Sequence, residues 1–225
     1  MLDMRETSRS REPDRLGPDA TRDVIVIREH RAVAEFARAL STIFNPFLCA
    51  TALFVILSHA YSGSTLHFWE LSFAGLFFYA LAPVIGIFYL YLSGRISDFD
   101  MSIRAERSRA FLTFVLIDLA AALVLTIDKA PEAIVAIAWG YFGAAVAIMV
   151  ITQWWKISTH AFGITGPFAA LYLLFGPAPL PYALVVPLVW WARVYLRSHT
   201  FGQVIAGAAL AVLSTVVVLR LFHLG

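Results

Sequence analysis

The chain has 225 residues, of which 60% are hydrophobic and 14% charged. A water-soluble domain of this size cannot bury so much apolar side chain, so the composition calls for lipid as solvent and excludes an ordinary soluble enzyme. The formal net charge is only +2, and the single cysteine, Cys49, lies inside an apolar run, which excludes an intrachain disulfide and a metal centre built on thiolates.

Residues 1–23 are rich in Arg, Asp, Glu, Ser and Pro. They lack the early apolar core and small-residue cleavage site of a signal peptide, and predict a charged, disordered tail. Arg5, Arg9, Arg11, Arg15 and Arg22 are nearly balanced by nearby acids, which favours a solvated tail over nucleic-acid binding. Residues 24–40 (VIVIREHRAVAEFARAL) mix apolar and charged side chains and predict an interfacial helix leading into the membrane.

From residue 41 to 225 the sequence reads as one membrane domain. A spanning helix needs about 20 apolar residues, fewer when neighbours shelter it. Apolar runs fill 41–60, 70–93, 110–127, 132–154, 158–176, 180–196 and 200–222. The run at 180–196 is the weakest, since it is short and carries Pro181, Pro187 and Arg193. Such interruptions are tolerated inside a bundle, where neighbouring helices satisfy the freed backbone groups. The expected fold is therefore all-α: a polytopic transmembrane bundle of about six or seven spans with an interfacial N-terminal helix.

The polar breaks alternate between two sides. One side holds 1–40, 94–109, 155–157 and 197–199; the other holds 61–69, 128–131, 177–179 and the C-terminus. All of the 17 Lys and Arg except Lys129 and Arg220 belong to the first side, counting Arg193 at its helix end. Cytoplasmic loops are enriched in Lys and Arg, so the first side is expected to be cytoplasmic, in a multi-pass protein of the plasma membrane.

The chemically capable residues of the membrane domain fall in three segments of that same side. The first runs from Ser97 to Arg107 and includes Asp98, Asp100, Arg104 and Arg107. The second is Lys156-Ile157-Ser158-Thr159-His160, and the third runs from Arg193 to His199, followed by Gln203. Two helices separate each segment from the next, so the topology returns all three to one membrane face. Arginines at fixed positions bind phosphate through paired planar donors. Ser158 and His160 sit where a helix begins, and helix N-termini offer free N–H groups to anions. Two histidines allow one to attack phosphorus while the other protonates the leaving oxygen. Arginines and backbone N–H groups can then stabilise the transition-state charge, with neither metal nor cofactor in the expected scheme. His59, His67 and His223 read as interfacial residues. Lys156 follows Trp154 and Trp155, and serves either as an interface anchor or as a phosphate ligand beside the cradle.

These segments resemble the three signatures of the type-2 phosphatidic acid phosphatase superfamily, whose fold is shared with vanadium haloperoxidases. The general forms are K-x-x-x-x-x-x-R-P, P-S-G-H and S-R-x-x-x-x-x-H-x-x-x-D. Arg193 and His199 match the third with its five-residue gap; Ser158 and His160 match the second; Arg107 is the arginine of the first. Arg104 and Arg107 together resemble the D-x-x-x-R-x-x-R form of some membrane members. The resemblance covers roughly residues 94–215. It implies that His199 is the nucleophile of a phosphohistidine intermediate and that His160 protonates the leaving group. It further implies that Arg107, Arg193 and Arg104 hold the phosphoryl oxygens and that Ser158 completes the cradle. The implied substrate is a lipid phosphate or an isoprenyl phosphate or diphosphate, entering from the bilayer.

The departures are specific. Asp100 and Ser108 stand at the lysine and proline of the first signature, and Ile157 and Thr159 at the proline and glycine of the second. Ala192 replaces the serine of the third, and Gln203 replaces the aspartate that orients the nucleophile. Asp118, inside an apolar run, and Asp98 or Asp100 are the carboxylates that could stand in for it. Two other classes fit parts of the sequence. Asp98 and Asp100 form a D-x-D pair suited to magnesium on a diphosphate, as in prenyl or CDP-alcohol transferases, although a second aspartate motif is lacking. A channel, a transporter or a catalytically degenerate membrane protein would also accommodate the lost signature residues.

Overall fold

The computed structural model describes residues 18–97 and 104–224, with side chains from residue 31 onward except those of 104 and 105. The chain divides into residues 1–36 and residues 37–225, and the bundle belongs to the second unit. Among the described residues all regular structure is helical. The elements are α1 (Pro18–Ile43), α2 (Pro46–Tyr61), α3 (Thr65–Leu76), α4 (Ala82–Leu92), α5 (Arg104–Ile127), α6 (Glu132–Ile151), α7 (Thr159–Phe175), α8 (Val185–Tyr195) and α9 (Phe201–Leu221).

Local chemistry sets the breaks. Asn45 caps α2, its side chain accepting from the Leu48 N–H at 3.0 Å, and Pro46 occupies the first turn, where a missing N–H costs nothing. Ser64 caps α3 in the same manner. α3 and α4 form one continuous stretch, Thr65–Leu92, joined by a π-helical turn at Phe77–Leu81. Pro83 has no N–H to offer the preceding turn, and the backbone widens there, so that the Ala82 N–H reaches the Phe77 carbonyl.

Four stretches are long and apolar enough to cross a membrane: Thr65–Leu92, Glu106–Ile127, Glu132–Ile151 and Phe201–Leu221. A fifth is reached if Arg31–Ile43 and Pro46–Tyr61 count as one bent span, while Thr159–Phe175 and Leu180–Tyr195 are shorter apolar helices. Each of the seven apolar runs thus carries a helix, but fewer than six meet the length and composition of a span. Boundaries also differ from expectation. The first run breaks at Asn45, because the cap and proline end α1 at Ile43. The second begins at Thr65 rather than 70, because Ser64 supplies a cap that the hydropathy pattern does not register. α1 begins at Pro18, ahead of the expected tail boundary at 23; residues 1–17 lie outside the described residues.

The core is built on α2. Phe54 is fully buried, stacks on Tyr79 with ring centroids 4.2 Å apart, and joins Leu53, Leu57, Ile134 and Leu219 in one cluster. Close helix approach depends on small residues: a Cβ at Gly163 of α7 would lie 2.6 Å from Pro46 of α2. The outer surface is apolar as well, with Leu66, Phe73, Leu92, Leu116, Ile127 and Leu221 all exposed. A soluble monomer does not present so much contiguous apolar surface, whereas a bilayer covers it. Cross-helix bonds mark the two ends. Ser108 to Gln153 and Ser158 to Gln203 lie at one; Thr126 to Trp139 and the Tyr61–Phe175 ring pair lie at the other.

Candidate functional site

The three segments meet at the first of these ends. In the third, α8 finishes at Tyr195, and the Arg193 carbonyl accepts from both Ser198 N–H (3.1 Å) and His199 N–H (3.3 Å). Arg197 takes a positive φ of 54° to close this turn. Thr200 then caps α9 with a reciprocal capping box: Gln203 N–H donates to Thr200 Oγ1 at 3.3 Å, and Thr200 N–H donates to Gln203 Oε1 at 3.1 Å. The arginine and the histidine are therefore fixed on opposite sides of one tight helix-to-helix corner.

Gln203 does a second job. Its Oε1 also lies 3.2 Å from His199 Nδ1. A backbone N–H can only donate, so the atom facing Thr200 must be the amide oxygen, and His199 Nδ1 must carry the proton. The lone pair then sits on Nε2, as a nucleophile requires. Glutamine thus selects the tautomer, as the expected aspartate would, without supplying a negative charge.

In the second segment, Ser158 caps α7, its hydroxyl accepting from Ala161 N–H at 3.3 Å, and its own N–H donates to the Gln203 carbonyl at 3.2 Å. A methyl group at Gly207 of α9 would collide with the Ser158 carbonyl oxygen. The starts of α7 and α9 are thereby clamped together, and His160 stands in the first turn of α7. One ring N–H of His160 donates to the Ser41 backbone carbonyl, and the ring lies within electrostatic reach of Arg193 and His199. Ser158, expected to touch phosphate, is instead fully buried and occupied as a cap.

The first segment contributes Arg107 from the opening turns of α5. Ser97 N–H and Oγ donate to Glu106 Oε2 at 2.8 and 2.9 Å, tying the chain after α4 to α5. Arg109 donates to the Arg95 carbonyl at 2.9 Å, and Arg95 lies over the Tyr89 ring, so these two cations hold local structure. Arg107 points elsewhere. It is among the charges acting on His199, and its Nε is buried without a hydrogen-bond partner. The Arg104 side chain and Asp98 and Asp100 lie outside the described residues.

His199 is 8% exposed. Burial first, then the positive charges of Lys156, Arg193 and Arg107, hold its pKa down to about 4, while the bond to Gln203 pulls it upward. Three cations therefore act on a neutral, tautomer-locked imidazole, with a second imidazole within electrostatic reach. Among the described residues no carboxylate figures among the charges acting on His199. Among the described residues no group of three or more His, Cys, Asp or Glu is placed to hold a metal ion. Such a pocket lowers the energy of a multiply charged anion.

Asp118 is placed elsewhere. It lines a cavity of about 250 Å³ that is also lined by Thr159 and His160 and by residues of α2, α4, α5 and α6. Within it Asp118 is close to Tyr79 and Tyr141, and it does not figure among the groups acting on His199. Two features escaped the sequence reading. The Ser41 carbonyl is a backbone group and leaves no trace in residue type; the cavity draws its lining from five helices far apart in sequence. The Thr200-Phe201-Gly202-Gln203 capping box, by contrast, was open to detection. The chain matches no family model, no curated protein and no solved structure.

Proposed function

We propose that the protein is a membrane phosphatase that hydrolyses a lipid phosphate or an isoprenyl phosphate or diphosphate by way of a phosphohistidine. The observation that carries this reading is the convergence of Arg107, Lys156 and Arg193 on a neutral His199 whose Nδ1 is bound to Gln203. In the proposed reaction the cations seat the phosphoryl oxygens. His199 Nε2 attacks phosphorus, and the bond from phosphorus to the lipid oxygen breaks. His160, held by Ser41, delivers a proton to that oxygen, its charged form supported by the phosphate bound beside it. Water then attacks the phosphohistidine, giving its proton to His160 and restoring His199.

The membrane setting is part of the proposal. All seven apolar runs embed in the bilayer, giving six or seven passes, with α7 and α8 sheltered by their neighbours. The site and N-terminus face the cytoplasm of the plasma membrane, in keeping with the Lys and Arg bias. Purified protein should release phosphate from phosphatidate or a polyprenyl phosphate with EDTA present, and His199→Ala should abolish release. Undiminished release by that variant would end the reading. Release that vanishes with EDTA would instead favour the metal-dependent transferase class. A second reading rests on Gln203: with an amide in place of a carboxylate at this position, the site would bind phosphate and not turn it over. Saturable phosphate or vanadate binding with no release from any lipid would select it.

A further inference from the structure

The cavity below His160 is not a uniform apolar sleeve. Its walls are Phe47, Phe111, Phe114, Ile148 and similar residues, but Asp118, Tyr79 and Tyr141 also line it. Tyr79 is only 3% exposed, and the hydroxyls of both tyrosines are buried with no hydrogen-bond partner. Both phenols lie close to Asp118, yet no hydrogen bond links the carboxyl to either. Three polar groups thus share one recess, deep among apolar side chains. Leaving the two phenolic hydroxyls without a partner is costly, so the recess calls for one.

The chemistry of the three identifies that partner. Asp118 seeks a donor, and each phenol has a proton to give. A single hydroxyl group donates once and accepts twice, and so answers all three. A plain hydrocarbon would bury them unanswered, and an ammonium would leave the phenolic protons without an acceptor. The recess also lies at a defined depth. Asp118 follows Arg107 along the same helix, roughly 16 Å further into the bundle at 1.5 Å per residue.

We propose that this cavity binds a slender amphiphile whose apolar stem carries a hydroxyl, seated among Asp118, Tyr79 and Tyr141. The inference rests on the phosphatase reading only for the anionic end of that ligand, which lies among Arg107, Lys156 and Arg193. The substrate class becomes a single-chain phosphate with a hydroxyl about ten carbons from phosphorus, in preference to a two-chain lipid with bare tails.

Two non-hydrolysable probes test this on the full chain in detergent: decylphosphonate and 10-hydroxydecylphosphonate, with binding followed calorimetrically. The hydroxylated probe should bind about tenfold more tightly, the scale of one well-satisfied buried hydroxyl. Asp118→Asn and Tyr79→Phe should each shrink that ratio. Equal affinity for the two probes in the unaltered protein overturns the inference, as does failure of both to bind. Phosphate release from the corresponding esters separates the two readings. Selective binding without release removes the phosphatase and keeps the hydroxyl site; release with equal affinities does the reverse.

Discussion

At the scale of single residues, Gln203 carries the most information. It caps α9, receives the Ser158 N–H through its carbonyl, and fixes the His199 tautomer. Gln203→Asp adds the negative charge that the imidazole lacks. We expect it to raise kcat about tenfold, a shift of about one pKa unit's worth of energy. The acid limb of the pH–rate profile should also move. With Gln203 that limb lies near the His199 value of about 4, below which the nucleophile is protonated; with Asp it moves to higher pH. An unchanged limb would show that position 203 does not govern the nucleophile. The same depressed value has a stability consequence. Between 4 and the ordinary 6.5 the unfolded chain binds a proton at His199 that the folded chain refuses. The fold should therefore lose stability as pH falls through that window and keep this contribution in full above it, as detergent thermal melts at several pH values would record. Arg193→Lys keeps a charge but loses the planar fork. Phosphate or vanadate affinity should fall at least tenfold, with little change in melting temperature.

At the scale of elements, the meeting of α7 and α9 decides whether the two imidazoles can cooperate. Gly207→Ala drives a methyl into the Ser158 carbonyl. Overpacking of this kind costs about 1–3 kcal/mol, so a lower melting temperature and a marked loss of kcat should appear together. Ser158→Ala separates the two effects. It removes a helix cap worth about 1 kcal/mol and leaves the cations in place, so melting should drop while most phosphate affinity remains. If Ser158→Ala instead abolished binding at unchanged stability, its hydroxyl would be a ligand after all. Element identity was legible in the sequence, since each apolar run carries a helix. Element ends were less so, because Asn45, Ser64 and Thr200 act through one hydrogen bond each and leave the hydropathy pattern untouched. The site was legible as far as residue type and alternation of sides allow. Arg107, Lys156, His160, Arg193, His199 and Gln203 come together, while Ser158 proved to be enclosed and Asp118 lines a cavity that reaches His160 without figuring among the groups acting on His199. The role of Asp118 was unreadable because its neighbours, Tyr79 and Tyr141, come from other helices.

At the scale of the whole molecule, the apolar exterior and the clustering of charge at one end fit the proposed setting, with that end at a membrane surface. Trp154 and Trp155 are exposed just past the end of α6, where amphipathic rings favour the boundary between lipid and water. Cys49 is buried, so single reporter cysteines can be added with Cys49→Ala as the background. Ser97→Cys and Arg197→Cys should react with a membrane-impermeant maleimide from one side of sealed vesicles, and Lys129→Cys only from the other. Labelling of Ser97→Cys and Arg197→Cys from opposite sides would break the shared site apart.

The corner between α8 and α9 closes on a single oxygen, the Arg193 carbonyl, which receives two consecutive N–H groups. Such a joint works as a ruler: spelling can change between its ends while length cannot. One inserted residue would swing the following helix by about 100° and carry the imidazole out of register with the guanidinium. With position 197 left to a residue that accepts its positive φ, the segment from Val194 to Ser198 should therefore tolerate shuffled letters far better than one letter more or fewer.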